Sequence, residues 1–189
     1  MSYVFRLLLS NGLAFVCFIL VVYSNINIKR DSMLRINLAM QILTFAAYVI
    51  IGCFDAAAAT LFAALRNFVC LKYPDRKEGA AVKAAVLLVG TAFSAWCGWR
   101  GGGTWVAFLP AVSFLFCSSG IYLTKSSSAL RFINAVDILL FWLIFDYLNL
   151  MAFNVVTDLF VVLFPLAERY IKLDHTDLAE QTDTTTTTL

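Results

Sequence analysis

Residues 34–45 read LRINLAMQILTF, and residues 130–141 read LRFINAVDILLF. The two stretches lie 96 positions apart, and the correspondence runs without a gap from residues 13–45 to residues 109–141. A shared apolar bias produces matches among Leu, Ile, Val and Phe, but it does not easily produce matches in the loops. The repeat is therefore supported most by three polar loop pairs, Lys29/Lys125, Ser32/Ser128 and Arg35/Arg131.

The composition predicts an integral membrane protein. Hydrophobic residues make up 61% of the chain and charged residues only 14%, with a mean hydropathy of +0.84. A soluble domain is about 45–50% apolar and about 25% charged, so one core could not bury this much apolar surface. The net charge of +2 does not suggest a nucleic-acid partner. We expect the lipid bilayer to be the main partner.

A membrane-spanning helix needs about 20 mostly apolar residues. Polar breaks such as NINIKRDS, FD, YPDRKEG and RGGG divide the chain into seven such runs. The runs cover residues 5–24, 34–53, 56–73, 80–99, 104–124, 132–149 and 151–168.

Lysine and arginine are distributed unevenly between the breaks, and this predicts the orientation in the membrane. The breaks after the first, third and fifth runs and the C-terminal segment carry eleven Lys and Arg, whereas the opposite side carries only Arg6 and Arg100. We therefore predict a multi-pass protein of the inner (plasma) membrane, with the N-terminus outside and the C-terminus in the cytoplasm. That arrangement requires an odd number of spans.

Spans and repeat together predict an all-α membrane protein in which seven transmembrane helices form a 3+1+3 parallel repeat. Residues 1–73 form the first three-helix unit, residues 80–99 a linker helix and residues 104–170 the second unit, followed by a disordered cytoplasmic tail at 171–189. One period contains four spans, so both units cross the membrane in the same direction. Parallel repeats of this kind are typical of transporters that bind solutes near mid-membrane.

Three further stretches are informative: LFAALRNFVCLKY at 61–73, RGGGTWVAFLPAVSFLFCSS at 100–119 and LRFINAVDILLFWLIFDY at 130–147. They resemble the YgjV family of small bacterial inner-membrane proteins, within the broader group of SWEET-like and PQ-loop-like (MtN3-like) transporters. The resemblance implies the fold more than an activity. It also implies polar substrate contacts on the third and seventh helices, where Asn67 and Asn154 stand.

Arg66 is a charge within an apolar run, and such a charge normally faces a partner or a watery cavity. It precedes Lys72 by six residues, about 9 Å along a helix, and Asp137 lies six residues after Arg131. The two side chains should therefore reach a similar depth. Arg66 is expected either to bind an anionic or carbonyl-bearing substrate, to form a structural pair with Asp137, or to extend to the membrane interface.

Asp158 should lie near the membrane midplane, since it precedes Arg169 by eleven residues, about 16 Å along a helix. Asn154 is four residues earlier and shares its helix face. This pair would bind a polar substrate or a coupling proton, or it would form ordinary interhelical hydrogen bonds.

Gln41, Tyr48 and Trp142 are expected on the inner faces of the second and sixth helices. An aromatic ring beside polar groups suits a sugar, a nucleoside or another ring-bearing metabolite, and bundle packing is the alternative. Near the predicted outer end, Asp146, Tyr147 and Asn149 would form an external gate or an interfacial cap.

These features favour a small-solute transporter or facilitator that works by alternating access, with a polar and ring-bearing or anionic substrate. Asp158 or Asp137 would carry the proton if transport is ion-coupled. The alternative is a non-transporting interaction or assembly protein on the same fold, and it predicts that Arg66→Met with Asp137→Leu is tolerated. No enzyme, cofactor, metal or catalytic site is expected, because the single histidine, His175, lies in the polar tail and no CxxC pair occurs. The protein is expected to be a monomer or a homo-oligomer.

Overall fold

A computed structural model describes residues 2–26, 30–74, 79–124, 126–164 and 167. Within these ranges the chain is helical and contains no strand. The sixth helix, α6, is continuous through three segments: Ser127–Asp137, a π-helical turn at Ile138–Trp142, and Leu143–Leu148. The other helices are α1 Tyr3–Ile26, α2 Arg30–Ile51, α3 Phe54–Lys72, α4 Ala80–Arg100, α5 Trp105–Leu123 and α7 Ala152–Phe164.

Five of these helices, α1 to α5, are long and apolar enough to cross a membrane. The π-helical turn divides α6 into shorter segments, and α7 is an apolar helix of fewer than 18 residues. Large apolar side chains such as Leu8, Leu88 and Leu163 point away from the protein interior. Outward-facing apolar side chains along the helices are what a bilayer requires, so the described fold is that of an all-helical, multi-pass membrane protein.

The helix boundaries differ from the predicted runs in several places. α2 begins at Arg30, four residues before its predicted start. α6 begins at Ser127, five residues before the predicted start, because Ser126 caps it by accepting a hydrogen bond from the Ala129 N–H. The break predicted at Phe54–Asp55 was wrong by two residues: Asp55 lies in the first turn of α3 and accepts a hydrogen bond from the Ala56 N–H at 2.9 Å. Pro165 and the tail at 171–189 lie outside the described residues.

The end of α2 is fixed by a glycine in the left-handed conformation. Gly52 has a φ of +88°, and its N–H donates to the Val49 carbonyl at 3.2 Å. The next N–H, that of Cys53, donates to the Tyr48 carbonyl at 3.0 Å. These two bonds make a Schellman motif, in which the last carbonyls of the helix are satisfied within the chain.

The end of α6 repeats this motif without a glycine. Leu150 has a φ of +59°, and its N–H donates to the Tyr147 carbonyl at 3.3 Å. The N–H of Met151 donates to the Asp146 carbonyl at 3.0 Å. Tyr48 and Asp146 therefore occupy the same position of the motif in α2 and α6.

These equivalent positions are 98 residues apart, whereas the repeat begins with an offset of 96. Over the corresponding part of the sequence repeat, α6 therefore contains two more residues than α2. The π-helical turn at Ile138–Trp142 lies between the two points and takes up part of this extra length, since a π turn holds more residues than an α turn.

Two apolar clusters lie at opposite ends of the bundle. The Leu34 cluster joins the start of α2 and α6 to the end of α3 and α5, through Met33, Leu34, Cys70, Cys117, Ile121 and Leu130. The Tyr48 cluster joins the end of α2 and α6 to the start of α3, through Ala47, Tyr48, Ala56, Ala57, Phe145 and Met151. Apolar packing between helices therefore lies on both sides of the centre of the bundle.

α1 and α7 contact each other through aromatic side chains, with ring centroids 5.5 Å apart for Phe15 and Phe153. α4 lies to one side, where it packs mainly on α3 and α5. The close approach depends on Gly90, because a Cβ atom there would lie 2.5 Å from the Phe114 ring and 2.9 Å from the Phe62 Cβ.

Leu150→Gly is expected to stabilise the protein by roughly 1 kcal/mol. A left-handed conformation costs a non-glycine residue about 1–2 kcal/mol, and the extra chain entropy of glycine offsets part of that gain. The exposed Leu159, in the middle of α7, is the matched control, and Leu159→Gly should lose roughly 1 kcal/mol. Unfolding midpoints in detergent should therefore move in opposite directions. A lower midpoint for both variants would show that position 150 does not need the left-handed conformation.

Candidate functional site

A cavity of about 130 Å³ lies between the Leu34 cluster and the Tyr48 cluster. Six helices line it, and α4 contributes none of the described lining residues. Seven of the eight residues predicted to contact a solute line this cavity: Gln41, Tyr48, Arg66, Asp137, Trp142, Asn154 and Asp158. The eighth, Asn67, is fully buried beside Arg66 but does not line the cavity.

Tyr48 is the centre of the polar network at one end of the cavity. Its hydroxyl donates to Asp146 Oδ1 at 2.5 Å and accepts from Asn154 Nδ2 at 3.1 Å. The indole of Trp142 stacks on its ring, with centroids 5.8 Å apart and planes 23° apart. The phenol is therefore held in place by residues of α6 and α7.

Asp158 lies beside this network on α7. Its carboxyl group lies near enough to that of Asp146 for the two to interact electrostatically, and only 6% of the residue is exposed. Its Oδ2 atom has no hydrogen-bond partner among the described residues. Two acidic side chains from α6 and α7 thus meet at the cavity wall.

Arg66 lies deeper in the bundle, on α3, and is 4% exposed. Its Nε and one terminal nitrogen donate to Asn67 Oδ1, both at 3.2 Å, and the other terminal nitrogen donates to Ser118 Oγ at 3.3 Å. The side chain is therefore held inside the protein, and the alternative in which it extends to the membrane interface does not fit.

Asp137 is held separately from Arg66. Its Oδ2 accepts a hydrogen bond from Ser113 Oγ at 3.1 Å, and Oδ1 accepts none of normal geometry from the described residues. Arg66 is near enough to act on this carboxyl electrostatically, but its described hydrogen bonds go to Asn67 and Ser118. The two charges share one cavity without the direct contact that the sequence suggested as a possibility.

Asp146 is the main residue that the sequence analysis placed differently. It was expected near the outer end with Tyr147 and Asn149, as a gate or an interfacial cap. The structure buries Asp146 to 2% exposure in the cavity wall, whereas Tyr147 is 70% exposed. Helical spacing separates these neighbours, because adjacent residues point about 100° apart. Asn149 contacts Cys53, whose thiol lies 3.4 Å from its Oδ1 atom.

A second cavity of about 530 Å³ lies beyond the Tyr48 cluster. Cys53 and Asn149 line it, together with Phe145, which also belongs to the Tyr48 cluster. Asp55 and Arg100 add one charge of each sign to its wall. The Tyr48 cluster therefore separates the central cavity from this larger one. We call the larger one the outer cavity because it lies nearer the end of the bundle, without reference to a side of the membrane.

The central cavity contains more acidic than basic side chains. Asp137, Asp146 and Asp158 line it, and Arg66 is the one Lys or Arg among the described lining residues. No group of three or more His, Cys, Asp or Glu in the described part of the chain has the arrangement of a metal site.

Tyr48→Phe is expected to lower the free energy of unfolding by about 1–3 kcal/mol, because Asp146 and Asn154 would each lose a buried hydrogen-bond partner. Tyr147→Phe is the control. It removes the same hydroxyl from an exposed ring and should change stability by less than about 0.5 kcal/mol. Unfolding in mixed detergent micelles measures both. Equal effects would mean that the Tyr48 hydroxyl contributes no net stability.

The family described as bacterial inner membrane protein, Imp-YgjV, has a sequence model that matches residues 8–164. The match covers all seven described helices except the first residues of α1. No curated protein and no solved structure matches the chain.

Proposed function

This chain belongs to the Imp-YgjV family of bacterial inner membrane proteins, and from that premise we propose that it is a small-solute transporter or facilitator. It would work by alternating access, with two three-helix units moving against each other around the central cavity. The observation that carries the proposal is a cavity at the centre of an apolar bundle, with four charged side chains in its wall.

Buried charge of this kind needs an explanation in a membrane protein. A charged side chain within a membrane is costly, and it usually marks a solute or ion pathway. Arg66, Asp137, Asp146 and Asp158 are each no more than 6% exposed. A purely structural core would be at least as stable with apolar side chains at these positions, since well-packed apolar replacements of buried charges are often neutral or stabilising.

The sequence repeat supports the two-unit arrangement. Under the offset of 96, three equivalent pairs line the same cavity: Cys17/Ser113, Val21/Cys117 and Gln41/Asp137. Leu34 and its equivalent Leu130 are both fully buried in one apolar cluster. Such placement is expected when two copies of a unit face each other across an axis through the cavity, with α4 as the linker outside.

The contact between Tyr48 and Asp146 supports the same arrangement at the other end. These residues hold equivalent positions in the two Schellman motifs, and their side chains meet. We place the movable boundary between the units here. Separating α2 from α6 at this point would join the central cavity to the outer one.

The size of the cavity limits the solute. Sites for drug-sized ligands usually enclose about 300–1,000 Å³, and an engineered cavity of about 150 Å³ holds benzene, which has six heavy atoms. A cavity of about 130 Å³ suits a compact solute of similar size. A sugar or nucleoside would require a wider conformation, so we favour a smaller polar solute over the ring-bearing classes.

Alternating access can be tested by closing one end with a disulfide. Asn149→Cys places a second thiol opposite native Cys53, and oxidation should fix the Tyr48 cluster in its closed form. A membrane-impermeant thiol reagent should then lose access to Cys17, which lines the cavity, from the side of the outer cavity. Access from the opposite side should remain, and reduction should restore both. Mass spectrometry of Cys17 in intact cells and in inverted vesicles gives the readout.

The control is the double variant Cys53→Ser/Asn149→Cys, which has the new thiol but cannot form this disulfide. Its labelling should not respond to oxidation. If Cys17 is never labelled from either side, in oxidised or reduced protein, the two ends do not open. The non-transporting interaction protein would then be the better interpretation.

A further inference from the structure

Three buried acceptor atoms of residues that line the central cavity lack a hydrogen-bond partner. They are Gln41 Oε1 on α2, Asp137 Oδ1 on α6 and Asp158 Oδ2 on α7, considered against the described residues. Asp137 and Asp158 are only 5% and 6% exposed. An unsatisfied buried polar group costs about 1–3 kcal/mol, so a native protein keeps one only for a reason.

All three atoms are acceptors, and this is what identifies the ligand. No fully buried donor atom of a lining residue is left without a partner in the described part of the chain. A ligand that satisfies this wall must therefore bring hydrogen-bond donors. The same wall has three carboxyl groups and one guanidinium, and the Arg66 nitrogens already donate to Asn67 and Ser118.

We infer that the central cavity binds the primary ammonium group of a small amine, held by Gln41, Asp137 and Asp158. The inference rests on the transporter proposal and names the class of its substrate. An ammonium group has three N–H donors and no acceptor, which matches three unpartnered acceptor oxygens. The Tyr48 and Trp142 rings in the same wall favour a positive charge further. A carboxylate would instead meet the acidic wall, where Arg66 is the one positively charged side chain among the described lining residues.

The cavity volume limits the rest of the molecule. Because about 130 Å³ is slightly smaller than the cavity that holds benzene, the amine should have about six heavy atoms or fewer. Methylammonium and ethylammonium are therefore suitable probes. Tetramethylammonium has the same charge but no N–H donor, and it separates hydrogen bonding from charge alone.

The test is thermal unfolding of the purified full-length protein in detergent at constant ionic strength. Methylammonium and ethylammonium chloride should raise the unfolding midpoint in a saturable way. Tetramethylammonium, sodium and potassium chloride should not. A sodium or tetramethylammonium shift as large as that of methylammonium would overturn the inference, because neither ion donates hydrogen bonds.

Two variants place the effect in the cavity. Asp158→Asn should abolish the methylammonium shift. Gln41→Leu should weaken the apparent affinity by at least about tenfold, the value of one lost hydrogen bond to a charged group. Gln41→Leu also removes an unsatisfied atom, so the free protein should melt no lower than the native chain, and this variant carries the test if Asp158→Asn does not fold. Asp55→Asn makes the same chemical change in the outer cavity and should leave the shift intact.

The outcomes separate this inference from the transporter proposal. If acetate or neutral solutes raise the midpoint, and Arg66→Ala removes that effect, the protein binds a solute but the ammonium inference is wrong. If methylammonium acts equally on the native chain and on both cavity variants, the site is elsewhere and the inference is also wrong. If no solute of any class acts and Cys17 is never labelled, both proposals fail.

Discussion

The hydrogen bond between Tyr48 and Asp146, at 2.5 Å, is the interaction on which the rest of the structure depends. It joins α2 to α6 at the point where both helices end, inside an apolar cluster that separates two cavities. A tyrosine hydroxyl and a carboxylic group both require partners in such surroundings, because water cannot satisfy them there. The pairing therefore fixes how α2 and α6 meet, and with it the shape of the cavity.

Helix ends explain why this bond lies where it does. Both helices finish in a Schellman motif, which satisfies two carbonyls near each helix end before the chain turns. The connections are short: two residues after α2, Gly52–Cys53, and three residues after α6, Asn149–Met151. Short connections hold successive helices close together. As a result, Tyr48 and Asp146, which hold equivalent positions before the two turns, lie at the same level of the bundle.

Much of the fold could be predicted from the sequence because the physical demands of a bilayer are simple. Apolar runs of about 20 residues predicted the helices, and α1 to α5 lie within a few residues of those runs. The boundary between α2 and α3 was less accurate, since Gly52 ends a helix by its backbone conformation and not by its polarity. The π-helical turn in α6 has no sequence pattern of its own, and it changes the offset of the repeat.

The candidate site was predictable in composition but not in its contacts. Polar residues in apolar runs identified Arg66, Asp137 and Asp158 as unusual. Position along a helix does not fix which face a residue takes relative to other helices, so Asp146 was expected at the surface. The hydrogen-bond partners of a side chain also depend on how the helices assemble. Arg66 on α3 donates to Ser118 on α5, and the sequence spacing between the two residues does not predict that contact.

The unsatisfied oxygens of Gln41 and Asp158 lower the stability of the bundle, and in the proposed ammonium site they would favour binding. Proteins commonly tolerate such destabilised positions at sites where activity requires them. The apolar clusters on either side supply compensating packing.

The position of α4 has a consequence for how this family can diverge. α4 contributes no described residue to the wall of the central cavity, and its close contacts with its neighbours are made through Gly90 and Gly98. Selection on the residues that line the central cavity would therefore act on six helices. The face of α4 that packs on the bundle, with buried Val86 and Ser94, remains constrained by its neighbours. Its exposed apolar face, which includes Leu88 and Val89, can change in sequence, or acquire a contact with another membrane protein, without altering the wall of the central cavity.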